Sequence, residues 1–128
     1  MSVHAVNKNI LASPRKITPI VNLVRGRTVA DALVILEHTP RRHSRAVRET
    51  IKSAKANAEH DHNLKPDSLF IESIIVSAGP KYRRYRPAAR GRALPYMRRT
   101  SHIAVVVDGE IRTPKKNTSE KPQNEEAK

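Results

Sequence analysis

The chain has 128 residues, 38% of them hydrophobic, and carries 25 Lys and Arg against 12 Asp and Glu for a formal charge of +13. That length accommodates one domain with a buried core, and a charge so one-sided repels itself unless a polyanion neutralises it, so nucleic acid is the leading partner. The chain has no cysteine, which excludes disulfides, thiolate nucleophiles and Cys-based zinc sites. No apolar run approaches the about 20 residues that cross a bilayer, no basic helix carries a Trp- or Phe-rich face, and the N-terminus lacks the apolar core of a signal peptide. The expectation is an intracellular protein with no membrane partner.

VHAVNKNIL at the chain start has weak β character and is assigned a strand. Ser13 followed by Pro14 reads as an N-cap with proline at the first helical position, and Ile17, Ile20, Val21 and Val24 then share a helical face until Gly26 stops it. Pro19 conflicts with an uninterrupted helix, so the helix either kinks there or starts late with Thr18 as its cap. Thr28 caps a second helix, with Asp31 in its first turn and Val29, Ala32, Leu33 and Leu36 on one face; Pro40 closes it. Thr39 and Pro40 repeat the cap-plus-proline signature. A long third helix follows through RRHSRAVRETIKSAKANAEH, its buried side marked by Val47, Ile51, Ala54 and Ala58.

From Asp67 the period changes. SLFIESIIVSAG is β-branched and apolar on both alternating faces, as in a strand covered above and below, and SHIAVVV from Ser101 to Val107 reads the same way. The two are expected to pair antiparallel, giving an α+β fold: three helices on a three-stranded antiparallel sheet. Residues 1–112 form a single domain with a protruding β-hairpin at about 79–101, and the polar, Pro-containing segment 113–128 is expected to be a disordered tail. No internal repeat is present.

The hairpin segment, KYRRYRPAARGRALPYMRR, holds all three tyrosines and eight cations without one acid. Gly79-Pro80 marks one break and Pro87 with Gly91 another, dividing it into two arms and a tip. Two arms of about ten residues, at about 3.3 Å per residue, carry the tip about 30 Å from the body. No core can bury such a ribbon, so its ordered form depends on a partner supplying negative charge on several sides. Arginine outnumbers lysine seven to one, and guanidinium groups grip phosphate bidentately and stack on bases. Tyr82, Tyr85 and Tyr96 offer surfaces for unpaired bases, a mixture that suits folded RNA better than the regular groove of DNA. Lys81, Arg83, Arg84, Arg86, Arg90, Arg92, Arg98 and Arg99 are therefore candidate RNA contacts. A second basic group is Lys8, Arg15, Lys16, Arg25 and Arg27, and a third is Arg41, Arg42, Arg45 and Arg48. Each of these two groups alone reads equally well as a solvated face.

Signals for catalysis are absent. His60, Asp61 and His62 sit at a helix end, where they read as polar surface, and no metal is assigned. His102, among apolar strand neighbours, reads as a hydrogen-bonded structural residue or a further RNA contact. No P-loop, glycine fingerprint or carboxylate dyad occurs, and no cofactor is expected. A DNA-binding repressor, an RNA chaperone and an RNA-processing enzyme remain alternatives on these grounds alone.

GRTVADALVILEHTPRR, SAKANAEH, GPKYRRYRPAARGRA and RRTSHIAVVV, in this order and spacing, resemble the bacterial large-subunit ribosomal protein L twenty-two family over nearly all of residues 3–107. The resemblance implies a structural RNA-binding protein without enzymatic activity, located in the cytoplasmic ribosome. It implies contacts to several domains of large-subunit ribosomal RNA, a role in ribosome assembly, and a body near the mouth of the peptide exit tunnel. The hairpin would run along the tunnel wall, its tip forming the constriction with ribosomal protein L four and meeting the nascent peptide. By motif, the tip is Arg84, Tyr85, Arg86, Pro87, Ala88, Ala89, Arg90, Gly91 and Arg92. The chain departs from the family pattern at Pro19, at Ala88, where a basic residue is common, and at Leu94-Pro95-Tyr96, where irregular pairing is expected because proline removes a ladder hydrogen bond.

Overall fold

A computed structural model describes residues 2–112; the expected tail, 113–128, lies outside the described residues. The elements run β1 (Val3–Ile10), α1 (Pro14–Val24), α2 (Val29–His38), α3 (Ser44–His60), a single 3-10 turn at Pro66–Ser68, β2 (Phe70–Pro87), a second 3-10 turn at Ala89–Gly91, and β3 (Ala93–Asp108). The sheet is antiparallel in the order β1-β3-β2. The fold is therefore the expected α+β architecture of three helices and three strands, and the chain start supplies the third strand.

The helices cover one face of the sheet. Ile17, Ile20, Val21 and Val24 of α1, Val29, Ala32 and Leu36 of α2, and Val47, Ile51, Ala54 and Ala58 of α3 are all buried, as their 3.6-residue spacing requires. Beneath them lie Val3 and Ala5, Ile71 and Ile74, and Ile103, Val105 and Val107. Alanines at positions 54 and 58 let α3 lie close on β1 and β3, which it contacts. The other face of the sheet is uncovered: Val6, Phe70 and Ile75 are exposed, Ile75 at 60%. The reading of β2 as covered above and below is thus corrected. Its continuous apolar run reflects a bulge instead. The register steps from Ile71↔Val107 to Ser73↔Val106, so Glu72 is an extra residue. The bulge puts Ile71 and Ile74, three apart, on the same inner face.

Two other expectations change. The α1 helix runs from Pro14 through Pro19, so it neither starts at Thr18 nor uses Thr18 as a cap; instead the Thr18 hydroxyl donates to the Pro14 carbonyl at 2.8 Å. The third helix starts at Ser44, not after Pro40. Thr39 serves as the C-cap of α2, its hydroxyl donating to Ile35 O at 2.6 Å, and Ser44 donates to Arg41 O at 2.6 Å. Those bonds hold Arg41, Arg42 and His43 in a turn between the helices.

Beyond the body, β2 and β3 continue as a two-stranded ribbon, paired from Lys81↔Arg99 to Pro87↔Ala93 without interruption. Pairing is regular across Tyr85↔Pro95, contrary to the irregularity expected at Pro95. In a two-stranded ribbon alternate N–H groups point outward, and proline at such a position removes no ladder bond. The irregularity lies at the root instead, where Gly79 and Pro80 together oppose Thr100. The buried Thr100 hydroxyl donates to Pro80 O at 2.7 Å. On the opposite edge of β3, Lys8 and Asn9 together oppose His102, and His102 Nδ1 accepts the Asn9 backbone N–H at 3.0 Å.

A Cβ on Gly79 would stand 2.5 Å from Thr100 Oγ1 and 3.1 Å from His102 Cε1. Gly79→Val is expected to destabilise the protein by about 1–3 kcal/mol through overpacking, measured by chemical denaturation; an unchanged midpoint would show that the root is not tightly packed. Deleting Tyr82–Tyr96 leaves Met97 and Arg98 as a two-residue turn between the paired Lys81 and Arg99. With Asn-Gly in that turn, cooperative thermal unfolding should persist, since no ribbon residue belongs to the core. Its loss would contradict the separation of body and ribbon.

Candidate nucleic-acid interface

The ribbon has two distinct faces because opposed residues share a side and successive ones alternate. One face carries Tyr82 opposite Arg98, Arg84 opposite Tyr96, and Arg86 opposite Leu94. Here guanidinium groups and rings interleave: the Arg84 guanidinium lies 5.6 Å from the Tyr82 ring centre and that of Arg86 lies 5.5 Å from Tyr96. Each such contact contributes about 0.5–1 kcal/mol at an exposed site and holds a long side chain extended over a flat partner. The other face carries Lys81, Arg99 and Arg83 near the body and Tyr85, Pro95, Pro87 and Ala93 toward the tip. Every residue from Lys81 to Arg99 except Ala88 is exposed. None of the eight cations has an ion-pair partner among the described residues.

The tip is a five-residue loop, Ala88 to Arg92, closed by the Ala88 N–H donating to Arg92 O at 2.8 Å. Arg90 and Gly91 both have positive φ, at 58° and 69°. Glycine takes this conformation without penalty, whereas the arginine carries strain on the order of 1 kcal/mol. The turn thereby places Arg90 and Arg92 at the far end of the ribbon.

The body extends the basic surface at the ribbon root. A cleft of about 480 Å³ is walled by Leu11, Ala12, Ser13 and Lys16, by Arg42 and His43, and by Tyr96 to Arg99. Ser101 fixes one wall, its hydroxyl donating to Ala12 O, and the Ser44 bond to Arg41 fixes another. A second cleft adds Arg15, Pro19, Ile20 and Arg41 and shares Lys16, Arg42 and His43 with the first. The first turns of α1 and α3 contain no acid, and neither N-cap side chain is engaged, so both positive helix ends remain uncompensated. Residues from all three expected basic groups thus meet: Arg15 and Lys16, Arg41 and Arg42, and Arg98 and Arg99.

Not every expected contact joins them. Arg25 donates to Ile74 O at 3.1 Å and Arg27 to Leu23 O at 2.9 Å, ties that secure the end of α1. Arg45 pairs with Glu49 at 2.8 Å and Arg48 with Glu37 at 3.7 Å. Lys8 lies exposed in the β1 bulge. His102 is half-buried in its bond to Asn9 and forms a structural bridge between strands. Among the described residues no group of three or more His, Asp or Glu side chains is arranged to hold a metal.

His43 was not singled out in the sequence, because the helix was placed from Pro40 and concealed the turn that carries it. Burial, and then the nearby Arg42 and Lys16 charges, hold its imidazole below the ordinary value of 6.5. The group binds fewer protons folded than unfolded, so its contribution makes the fold less stable as pH falls through that region. An NMR titration should place the His43 midpoint below about 6.5 and shift it upward in Lys16→Ala or on addition of polyphosphate. A midpoint indifferent to both would show that the cleft cations do not act on it.

The family described as ribosomal protein L22p/L17e matches residues 5–108, from within β1 to the end of β3 and so including the whole ribbon. The large ribosomal subunit protein uL22 of Herpetosiphon aurantiacus is 43% identical over 112 residues, covering 87% of this chain and 99% of the relative. The match spans the three helices, nearly all of the sheet and the whole ribbon, and this protein belongs to the ribosomal protein L22p/L17e family.

Proposed function

We propose that this protein is a structural constituent of the large ribosomal subunit that binds its RNA through the ribbon and the adjoining basic clefts. The observation that carries this reading is the ribbon itself: eight cations without an ion-pair partner among the described residues and three tyrosines, exposed and free of acids, on a two-stranded element with no core of its own. Such an element gains its stability from a surrounding polyanion. RNA answers best because its loops bring dense phosphate and unpaired bases together, matching the interleaved Arg–Tyr face. The role is structural rather than catalytic. Contact with several RNA domains at once would aid folding of the RNA during assembly in the cytoplasm.

On this reading the ribbon lines the nascent-peptide exit tunnel. Its tip, Arg84 to Arg92, stands at the constriction beside ribosomal protein L four and faces the nascent peptide. The support is the family membership together with the ribbon's reach, since seven consecutive strand pairs at about 3.3 Å each project the tip more than 20 Å from the root.

Sucrose-gradient sedimentation of the tagged protein from a lysate, after a high-salt wash, is the direct test. Co-migration with the large subunit is expected; recovery at the top of the gradient or on DNA would favour a regulator instead. Binding to large-subunit RNA should show a slope of log K against log salt of about −6 to −7 if all eight ribbon cations meet phosphate. Arg90→Ala with Arg92→Ala should make that slope shallower by about 1.5–2. An unchanged slope would remove the tip from the interface.

A further inference from the structure

We propose that the cleft at the ribbon root is a pocket for a single unpaired RNA nucleotide, with its base against Tyr96 and its phosphates on Lys16, Arg42 and Arg98. This rests on the RNA-binding reading and specifies what part of the RNA the body recognises. Three segments distant in sequence converge to form the cleft: the β1–α1 loop with the first turn of α1, the α2–α3 turn, and the returning arm of the ribbon. Its volume of about 480 Å³ lies within the roughly 300–1,000 Å³ of small-ligand sites.

The lining is divided as a nucleotide is. Leu11, Met97 and Tyr96 supply apolar and aromatic surface, while the cations supply phosphate ligands, and no acid among the described residues lines either cleft. Leu11 and Met97 are 64% and 54% exposed, a cost in water that a stacked base removes. The Arg86 guanidinium covers the Tyr96 ring at 5.5 Å, so a base entering from the cleft extends an existing stack. His43, shared by both clefts, presents in its neutral form one donor and one acceptor, suited to a base edge or a 2′-hydroxyl. A paired duplex presents convex rows of phosphates with its bases enclosed and cannot place a base here. The adjoining cleft, with Arg15 and Arg41, continues the cationic surface for the next phosphate.

The test uses the full chain and two blunt-ended RNA duplexes alike but for one nucleotide, one fully paired and one with a single bulged 4-thiouridine. The bulged RNA should bind about tenfold more tightly, in the range expected for one stacked base, and ultraviolet crosslinks mapped by mass spectrometry should fall on Tyr96, Met97 or Leu11. Tyr96→Leu should collapse the preference toward unity, and Lys16→Gln with Arg42→Gln should weaken binding of the bulged RNA. Equal affinity for the two RNAs, crosslinks confined to the tip, or displacement of the bulge crosslink by poly-glutamate at equal charge would overturn the pocket. If salt-dependent binding persists in such a result, the pocket alone fails; if neither RNA binds, the RNA-binding reading fails with it.

Discussion

The register of β3 is the constraint on which the rest of the molecule depends. From Ser101 to Val107 this strand is hydrogen-bonded on both edges, to β1 and β2, and buries Ile103, Val105 and Val107 against the helices. A slip of one residue would turn these side chains out to solvent and Ala104 and Val106 inward, so the core locks the pairing. The same strand continues past Thr100 as one arm of the ribbon. An element with no core of its own therefore inherits its register, and hence which side chains share a face, from a core that it leaves.

At the exit point both edge strands lose step with β3 on either side of Ser101, Lys8-Asn9 opposite His102 and Gly79-Pro80 opposite Thr100. Each bulge is closed by a side chain of β3, the His102 imidazole on one edge and the Thr100 hydroxyl on the other. Bulges bend a strand and increase its twist, so these two set how the ribbon leaves the sheet. They give the half-buried His102 and the buried Thr100 structural roles at the root of the ribbon.

Charge is distributed with a division of labour. Arg45, Arg48, Lys55 and Lys65 have carboxylate partners on the body, and Arg25 and Arg27 hold backbone carbonyls at the end of α1. The ribbon cations have no such partners among the described residues. Surface pairs contribute little stability individually, but they remove those cations from competition for a polyanion. The available positive potential is thereby concentrated on the ribbon and the clefts at its root.

Much of this was legible in the sequence, because it depends on neighbours along the chain. The buried faces of the helices follow from spacing, and the Thr28 cap is observed with its hydroxyl accepting the Asp31 N–H at 3.2 Å. The acid-free composition of residues 81–99 and its alternation of arginine and tyrosine needed no tertiary information. The start of α3 was misplaced because a threonine and proline pair signals a helix start equally well whether the threonine opens one helix or closes another. The uncovered sheet face was hidden by the bulge at Glu72, which makes a one-sided strand read as apolar on both sides. Fold class and the chemistry of the ribbon were therefore determined by the sequence itself, since composition and local periodicity carry them, and the family by the order and spacing of its motifs. Which cations are tied to the body, where the strands bulge, and the meeting of Lys16, Arg42 and Tyr96 in one cleft were decided only by the tertiary structure, because each depends on packing between segments tens of residues apart.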